Sequence, residues 1–226
     1  MNYITLATLE DVIEHAPDIR EFLFSIDMER RYNPGSFVQL TLGEVSASDI
    51  WPESRTFSIA SYQPGKMRFI IKNEGHYTQQ LFDQLKVGSR CTIKYPFGDL
   101  FDKKTLDEDH VFLAGGVGIT PYLGLIEYYE SLGKLDQLHL FYSVRKHQDL
   151  IHYDRLKTLL GERLHVFITR EDSEHFPTRR MGLEDLQLIS TPNSHVYVCG
   201  SKAFNAYFKN ALMNAGYTKI HMDEWE

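Results

Sequence analysis

A chain of 226 residues, 42% of them hydrophobic, is long enough for two domains of ordinary size. Its net charge of −7 argues against general nucleic-acid binding, which needs a basic field, and no apolar stretch nears the ~20 residues that span a bilayer. Two cysteines, Cys91 and Cys199, exclude a disulfide framework and are too few for an iron–sulfur cluster with its usual set of cysteine ligands. The ten histidines show no zinc spacing, so no metal is expected. Met1-Asn2-Tyr3-Ile4 lacks the basic-then-apolar order of a signal peptide, and a cytoplasmic location is expected. The charge is uneven: 12 basic and 14 acidic residues up to Lys104, then 12 and 17. An acidic partner could dock on the nearly balanced first half.

Residues 1–104 read as short strands. Val38 to Leu42 and Cys91 to Lys94 alternate apolar and polar residues, and Met67 to Lys72 is rich in strand formers. Turns are signalled at Asn33-Pro34-Gly35, Gln63-Pro64-Gly65 and Val87-Gly88-Ser89. One helix interrupts them: Thr78 is the expected N-cap, with Leu81, Phe82 and Leu85 at helical spacing. This pattern predicts an antiparallel β-barrel or sandwich. The charged stretch Asp102 to Asp109 reads as a linker. Residues 105–226 then alternate: strand Val111 to Ala114, helix Pro121 to Leu132, strand Leu138 to Ser143, helix Leu150 to Leu160, strand Leu164 to Thr169, helix Met181 to Leu188, strand Val196 to Cys199, helix Lys202 to Ala215. Such alternation predicts an α/β doubly wound parallel sheet.

Gly115-Gly116-Val117-Gly118-Ile119-Thr120-Pro121 falls where a strand turns into a helix, the place where glycines let backbone approach a pyrophosphate and a helix N-terminus offers free N–H donors. Pro121 suits the first helical turn. The spacing is not Gly-x-Gly-x-x-Gly, since Pro121 stands at the third glycine position; a tight turn without a ligand is the competing reading. Cys199-Gly200-Ser201 ends a later strand and could face the same cleft, although a buried cysteine is also ordinary core filler. Arg145 and Arg170 each follow a strand end, and Arg179 and Arg180 lie in the next loop. Guanidinium groups so placed suit the extra phosphate of NADPH; solvated surface arginines are the alternative.

In the first half, Arg55-Thr56-Phe57-Ser58 lies on a predicted strand, with Arg55 and Phe57 on one face and Ser58 on the other unless the strand ends there. An arginine can neutralise a flavin phosphate, an aromatic can cover the ring system, and a hydroxyl can reach its N5. Taken alone, the tetrapeptide is better explained as a strand with one interior Phe and a surface Arg. Gly75-His76-Tyr77-Thr78 precedes the helix and makes a second anion site at a helix start, or else an ordinary cap.

In order and separation these motifs, with Pro96-Phe97-Gly98, resemble the ferredoxin–NADP reductase superfamily over nearly the whole chain. The resemblance implies an FAD-binding barrel domain at 1–104 and an NAD(P)-binding domain at 105–226. The family's Arg-x-Tyr-Ser reads Arg55-Thr56-Phe57-Ser58, its Gly-x-x-Ser/Thr matches Gly75 and Thr78, and Tyr95 replaces a glycine before Pro96. It places Arg55, Thr56, Phe57, Ser58, Ile71, Lys72, Gly75, His76, Tyr77 and Thr78 at FAD. It places Gly116, Gly118, Thr120, Pro121, Ser143, Arg145, Thr169, Arg170, Arg180, Cys199 and Gly200 at NADPH, with Thr169-Arg170 as the pair gripping the 2′-phosphate. In the tail, Asp223 is the acid and Trp225 the aromatic over the flavin, with Glu224 as the other acidic candidate; Ser58, Cys199, Asp223 and Trp225 are the expected catalytic set. The implied activity is hydride transfer from NADPH to FAD, then single electrons to a separate ferredoxin or flavodoxin. The alternatives are an NADH-dependent reductase component of an oxygenase system and a flavin electron-transfer subunit; FAD rather than FMN rests on family habit.

Overall fold

The computed structural model describes residues 2–27, 31–46 and 48–222. Asp223, Glu224 and Trp225 lie outside the described residues. The chain forms two compact units: one holds the residues up to Asp99 together with Thr120–Tyr128, the other Leu100–Ile119 and the chain from Tyr129 onward.

The first unit is a nearly closed antiparallel barrel. Its strands are β1 (Tyr3–Ala16), β2 (Ile19–Ile26), β3 (Phe37–Leu42), β4 (Arg55–Ser58), β5 (Lys66–Lys72) and β6 (Arg90–Phe97), in the order β4-β3-β6-β1-β2-β5. Closure is helped beyond β4 by Ala60 N–H, which donates to Arg68 O at 2.8 Å, and by Arg68 N–H, which donates to Ser61 Oγ at 3.2 Å. The interior is Leu9, Phe22, Phe24, Val38, Leu40, Met67, Phe69, Cys91 and Ile93, each at most 1% exposed. Helix α1 (His76–Gln84) lays Tyr77, Leu81 and Phe82 on this core. It starts earlier than the sequence suggests. Gly75 is the N-cap, and Thr78 sits in the first turn, where its Oγ1 accepts the N–H groups of Glu74 and Gly75, both at 3.0 Å. Tyr95, at the family's glycine position, is fully buried and meets Tyr32 edge-on at 6.4 Å. The following Phe97 stacks on Phe37 at 5.5 Å, and a Cβ on Gly98 would stand 2.8 Å from Phe37 Cδ1. Pro96-Phe97-Gly98 therefore closes the end of β6 by packing.

The second unit carries five parallel strands, β7 (His110–Gly115), β8 (Leu138–Val144), β9 (Leu164–Ile168), β10 (His195–Cys199) and β11 (Ile220–Met222), in the order β11-β10-β7-β8-β9. Helix α2 (Thr120–Ser131) follows β7, α3 (Tyr153–Leu160) precedes β9, α4 (Leu183–Leu186) precedes β10, and α5 (Lys202–Asn214) leads to β11. The strand order reverses at β7, so right-handed crossovers put α3 and α5 on opposite faces of the sheet. Two helices are shorter than the periodicity implies. Leu150 to Tyr153 does not begin a helix at Leu150, because His152 takes φ 53 and the regular turns start after it. Met181 to Leu188 is a single turn held by Asp185, whose carboxylate accepts Gly182 N–H at 2.9 Å. The stretch Asp102 to Asp109 contains a 3-10 turn, Lys103–Thr105, that Asp102 caps by accepting Lys104 N–H at 2.9 Å.

Candidate flavin and nucleotide sites

In the barrel unit, β4 pairs with β3 so that Arg55 opposes Leu40 and Phe57 opposes Val38. Directly opposed residues share a face, so Arg55 and Phe57 lie on the side of the core, as alternation requires. Phe57 is half-buried against the barrel interior. Ser58 ends the strand and is half-buried; Thr56 is exposed. Arg55 stands exposed at the strand start. Its guanidinium donates to Ser54 O at 2.9 Å and Glu53 Oε1 at 3.0 Å and lies over the Tyr77 ring, 5.1 Å from the centroid. That contact brings the Arg55 motif to the head of α1. Tyr77 donates its hydroxyl proton to Leu40 O at 2.6 Å, and burial pushes its pKa up to about 12.

The start of α1 fits an anionic group. The first turn has no acidic residue, and the first intrahelical bond is Gln79 N–H to Gly75 O at 2.9 Å, leaving the N–H groups of His76 to Thr78 ahead of it. Gly75 has extended backbone, and a Cβ there would meet nothing within 4 Å. His76 is exposed beside Gln80, 3.2 Å away. Of the other expected flavin residues, Ile71 is buried in the barrel core, and Lys72 pairs with Glu74 and, at 4.0 Å, with Asp18.

In the second unit, the strand order reverses between β7 and β10, the topological switch point at which doubly wound sheets bind ligands. The carboxyl ends of these two strands meet as glycine backbone. A Cβ on Gly118 would stand 2.1 Å from Cys199 O, and one on Gly115 would stand 3.4 Å from Gly200 Cα. Gly116 is different: it has φ +58, and its Cβ direction is open. So Gly118 is required by the approach of β10, while Gly116 leaves free space beside the loop. Cys199 is buried and forms no disulfide, and Gly200 is half-buried.

The arginines separate into two groups. Thr169 donates from both N and Oγ1 to Val144 O, at 3.0 and 3.1 Å, and Arg170 N–H donates to Arg145 O at 2.9 Å. This ladder past the ends of β8 and β9 sets Arg145 beside Arg170, both exposed, with Arg145 two residues beyond half-buried Ser143. Arg180 is also exposed. Arg179 is committed elsewhere: it forks onto Asp185 (Nη1 to Oδ2 2.8 Å) and lies over Phe167 at 5.2 Å. The same pairing holds the Asp185 carboxyl below its ordinary range and raises the Arg179 pKa. Thr120 and Pro121, which the chain order places after the loop, are both buried at the head of α2.

A barrel with a helix start free of acidic residues, followed by a parallel sheet with glycine loops at its switch point, is the architecture of a two-domain flavin and nicotinamide oxidoreductase fold. Residues 6–101 match the oxidoreductase FAD-binding domain and residues 112–210 the oxidoreductase NAD-binding domain. The chain belongs to the ferredoxin–NADP reductase-like superfamily. It is 28% identical over 88% of its length to the ferredoxin–NAD(P)(+) reductase component of naphthalene 1,2-dioxygenase/salicylate 5-hydroxylase systems from a Ralstonia species, covering 62% of that protein. It is 25% identical over 94% of its length to the glycine betaine monooxygenase reductase subunit of Chromohalobacter salexigens, covering 61% of it. The chain thus spans about three-fifths of the length of these relatives. In fold it is similar to a ferredoxin NADP+ reductase from Neisseria gonorrhoeae with bound FAD and NADP (TM-score 0.77, 22% identity, 98% of both chains). It is similar also to the flavohem-like FAD/NAD-binding domain of nitric oxide dioxygenase from Vibrio cholerae (TM-score 0.84, 19% identity, 98% of both chains). Among the described residues no helix is long and apolar enough to cross a membrane.

Proposed function

We propose that this chain is an FAD-dependent reductase that takes hydride from NADPH and hands electrons one at a time to a separate carrier protein of ferredoxin or flavodoxin type. The observation that carries the reading is the pairing, in one chain, of an FAD-binding and an NAD-binding domain, each with a helix start suited to an anion. When bound, FAD supplies a two-electron acceptor that can release electrons singly. In this reading residues 1–104 hold the flavin. Arg55 and the first-turn N–H groups of α1 take its phosphates, Ser58 offers a hydroxyl to its ring, and half-buried Phe57 offers an aromatic surface. Residues 105–226 hold the nucleotide, with Gly116 giving backbone access and Arg145, Arg170 and Arg180 taking the 2′-phosphate. Arg179 is excluded from that role by its fork onto Asp185. Cys199 orients the nicotinamide, and Trp225 covers the flavin with an acid, Asp223 or Glu224, beside it. A cytoplasmic location belongs to the same proposal.

The two relatives named above favour a second reading, a reductase component of an oxygenase system with NADH as donor. Anaerobic stopped-flow mixing of the yellow protein with NADPH and with NADH tests both. Faster bleaching by NADPH supports the first reading and faster bleaching by NADH the second. A flavin reduced by neither refutes both and leaves an electron-transfer subunit.

A further inference from the structure

Helix α2 is apolar over its first nine residues, 120–128, with one charged exception, Glu127. Its carboxylate is only 8% exposed, yet Oε2 accepts Tyr62 N–H at 2.7 Å and Oε1 accepts Arg68 Nη2 at 2.9 Å. Arg68, 11% exposed, turns its Nε to Glu21 Oε1 at 3.3 Å, and Glu21 Oε2 meets His15 Nε2 at 2.7 Å. One turn before Glu127, Gly124 lies against the same segment: a Cβ there would stand 2.9 Å from Ile59 O and 3.1 Å from Ser61 O. One residue beyond it, Tyr128 meets Tyr62 edge-on at 4.9 Å. All of these residues belong to the barrel unit.

Such a buried charge pair is a poor source of net stability, because apolar groups of the same shape do as well or better. The two donors on Glu127, one backbone N–H and one guanidinium nitrogen, supply direction instead: they fix how far a helix has slid along its axis, which an apolar contact does not. The segment that Glu127 and Gly124 grip, Ile59 to Tyr62, follows Ser58 directly. Thr120, at the head of α2, precedes Glu127 by two helical turns, ~10 Å of axial rise.

We infer that Glu127 is a positioning residue for hydride transfer. With Arg68 it sets the axial register of α2 against the segment that directly follows the flavin motif, and so fixes Thr120 relative to Ser58. The inference rests on the proposed reading that FAD is held at β4 and the pyridine nucleotide at the head of α2.

The test is anaerobic stopped-flow reduction of the FAD-loaded full chain by NADPH, repeated with NADH, for wild type and Glu127→Gln. The amide still accepts from Tyr62 but no longer holds Arg68 by charge. FAD stoichiometry and nucleotide dissociation constant should stay within roughly 2-fold of wild type while the limiting bleaching rate falls ~10-fold or more, since ~1 Å of misplacement costs up to ~10²-fold. Arg68→Lys, which keeps the charge but loses the fork, should show the same split between rate and affinity, and it replaces Glu127→Gln if that variant fails to accumulate. A wild-type limiting rate in the variant overturns the inference. So does a loss of FAD or of nucleotide affinity large enough to explain the whole effect, which would mark a merely structural residue. If neither nucleotide bleaches the wild-type flavin, the functional reading falls as well.

Discussion

Acid should loosen the nucleotide-binding unit through His110. This side chain opens β7, is fully buried, and has its tautomer set by its neighbours. Thr105 Oγ1 spends its proton on Asp102 O at 2.8 Å, so it accepts from His110 Nε2 at 3.1 Å; Nδ1 is then free to accept from the Tyr129 hydroxyl at 2.7 Å. The His195 ring lies 5.1 Å away. Burial first, then the nearby His195 and His221, hold the His110 pKa down at about 3 against an ordinary 6.5. Between those two values the unfolded chain binds a proton that the folded chain refuses. The contribution of His110 is therefore complete above pH 6.5 and lost progressively as pH falls toward 3. At 1.36 kcal/mol per pH unit, the loss between pH 6.5 and pH 5 comes to about 2 kcal/mol. For a chain of this size that is a fall in Tm of roughly 4–8 °C. His139, His165 and His221 are displaced in the same direction, so the decisive quantity is a difference between proteins. Urea unfolding at pH 7.5, 6.0 and 5.0, followed by circular dichroism, should show His110→Gln less stable at pH 7.5 but about 2 kcal/mol less sensitive to acid. Parallel pH profiles for wild type and variant would refute the reasoning.

Gly118→Ala puts a Cβ against the Cys199 carbonyl, a clash that no side-chain rotation relieves. It should cost ~3 kcal/mol or more, seen as a fall in Tm, and a variant as stable as wild type would disprove the packing role. Gly75→Asp is the opposite case: the backbone is extended, the space is open, and Asp is a good N-cap. Stability should hold or rise while FAD affinity drops, measured by flavin released on dilution; unchanged retention would remove the diphosphate from α1. Arg170→Ala should raise the KM for NADPH and leave NADH nearly unaffected, whereas Arg179→Ala should leave the ratio of the two alone. Equal losses with both nucleotides in Arg170→Ala would place the phosphate elsewhere.

Much of the fold was readable because both units keep their periods. The parallel strands β7, β8 and β10 are continuous apolar runs, and glycine or proline marks the barrel turns. The strands the pattern hides are β1, the longest in the barrel, and β2. In β1 the inward positions are Thr5, Ala7 and Leu9, while the larger Ile4 and Leu6 stay half-exposed, so the alternation reads with the wrong sign. In β2 Glu21 is buried although it alternates with the inward Phe22 and Phe24 and so lies on the opposite face. Its charge is intelligible only beside Arg68, which arrives from β5 through strand pairing. The short edge strand β11 offers three residues, too few for any period.

Site residues were legible by type but not by job. The sequence shows Gly115, Gly116 and Gly118 as equals near a phosphate; the folded chain divides them, because only a neighbouring strand can tell which glycine has lost room for a side chain. The same holds for the arginines: Arg179 and Arg180 are adjacent in sequence, and an aspartate six residues on removes only Arg179 from the available cations. Glu127 is the reverse case. A lone carboxylate in the run Pro121 to Tyr129 violates the helix's own apolar pattern, and that violation was visible before any coordinates. What the sequence lacked was its counter-charge, 59 residues earlier on another element. A charge that breaks a local pattern is maintained only where a distant group answers it, so such breaks mark the contacts that set one element's register on another.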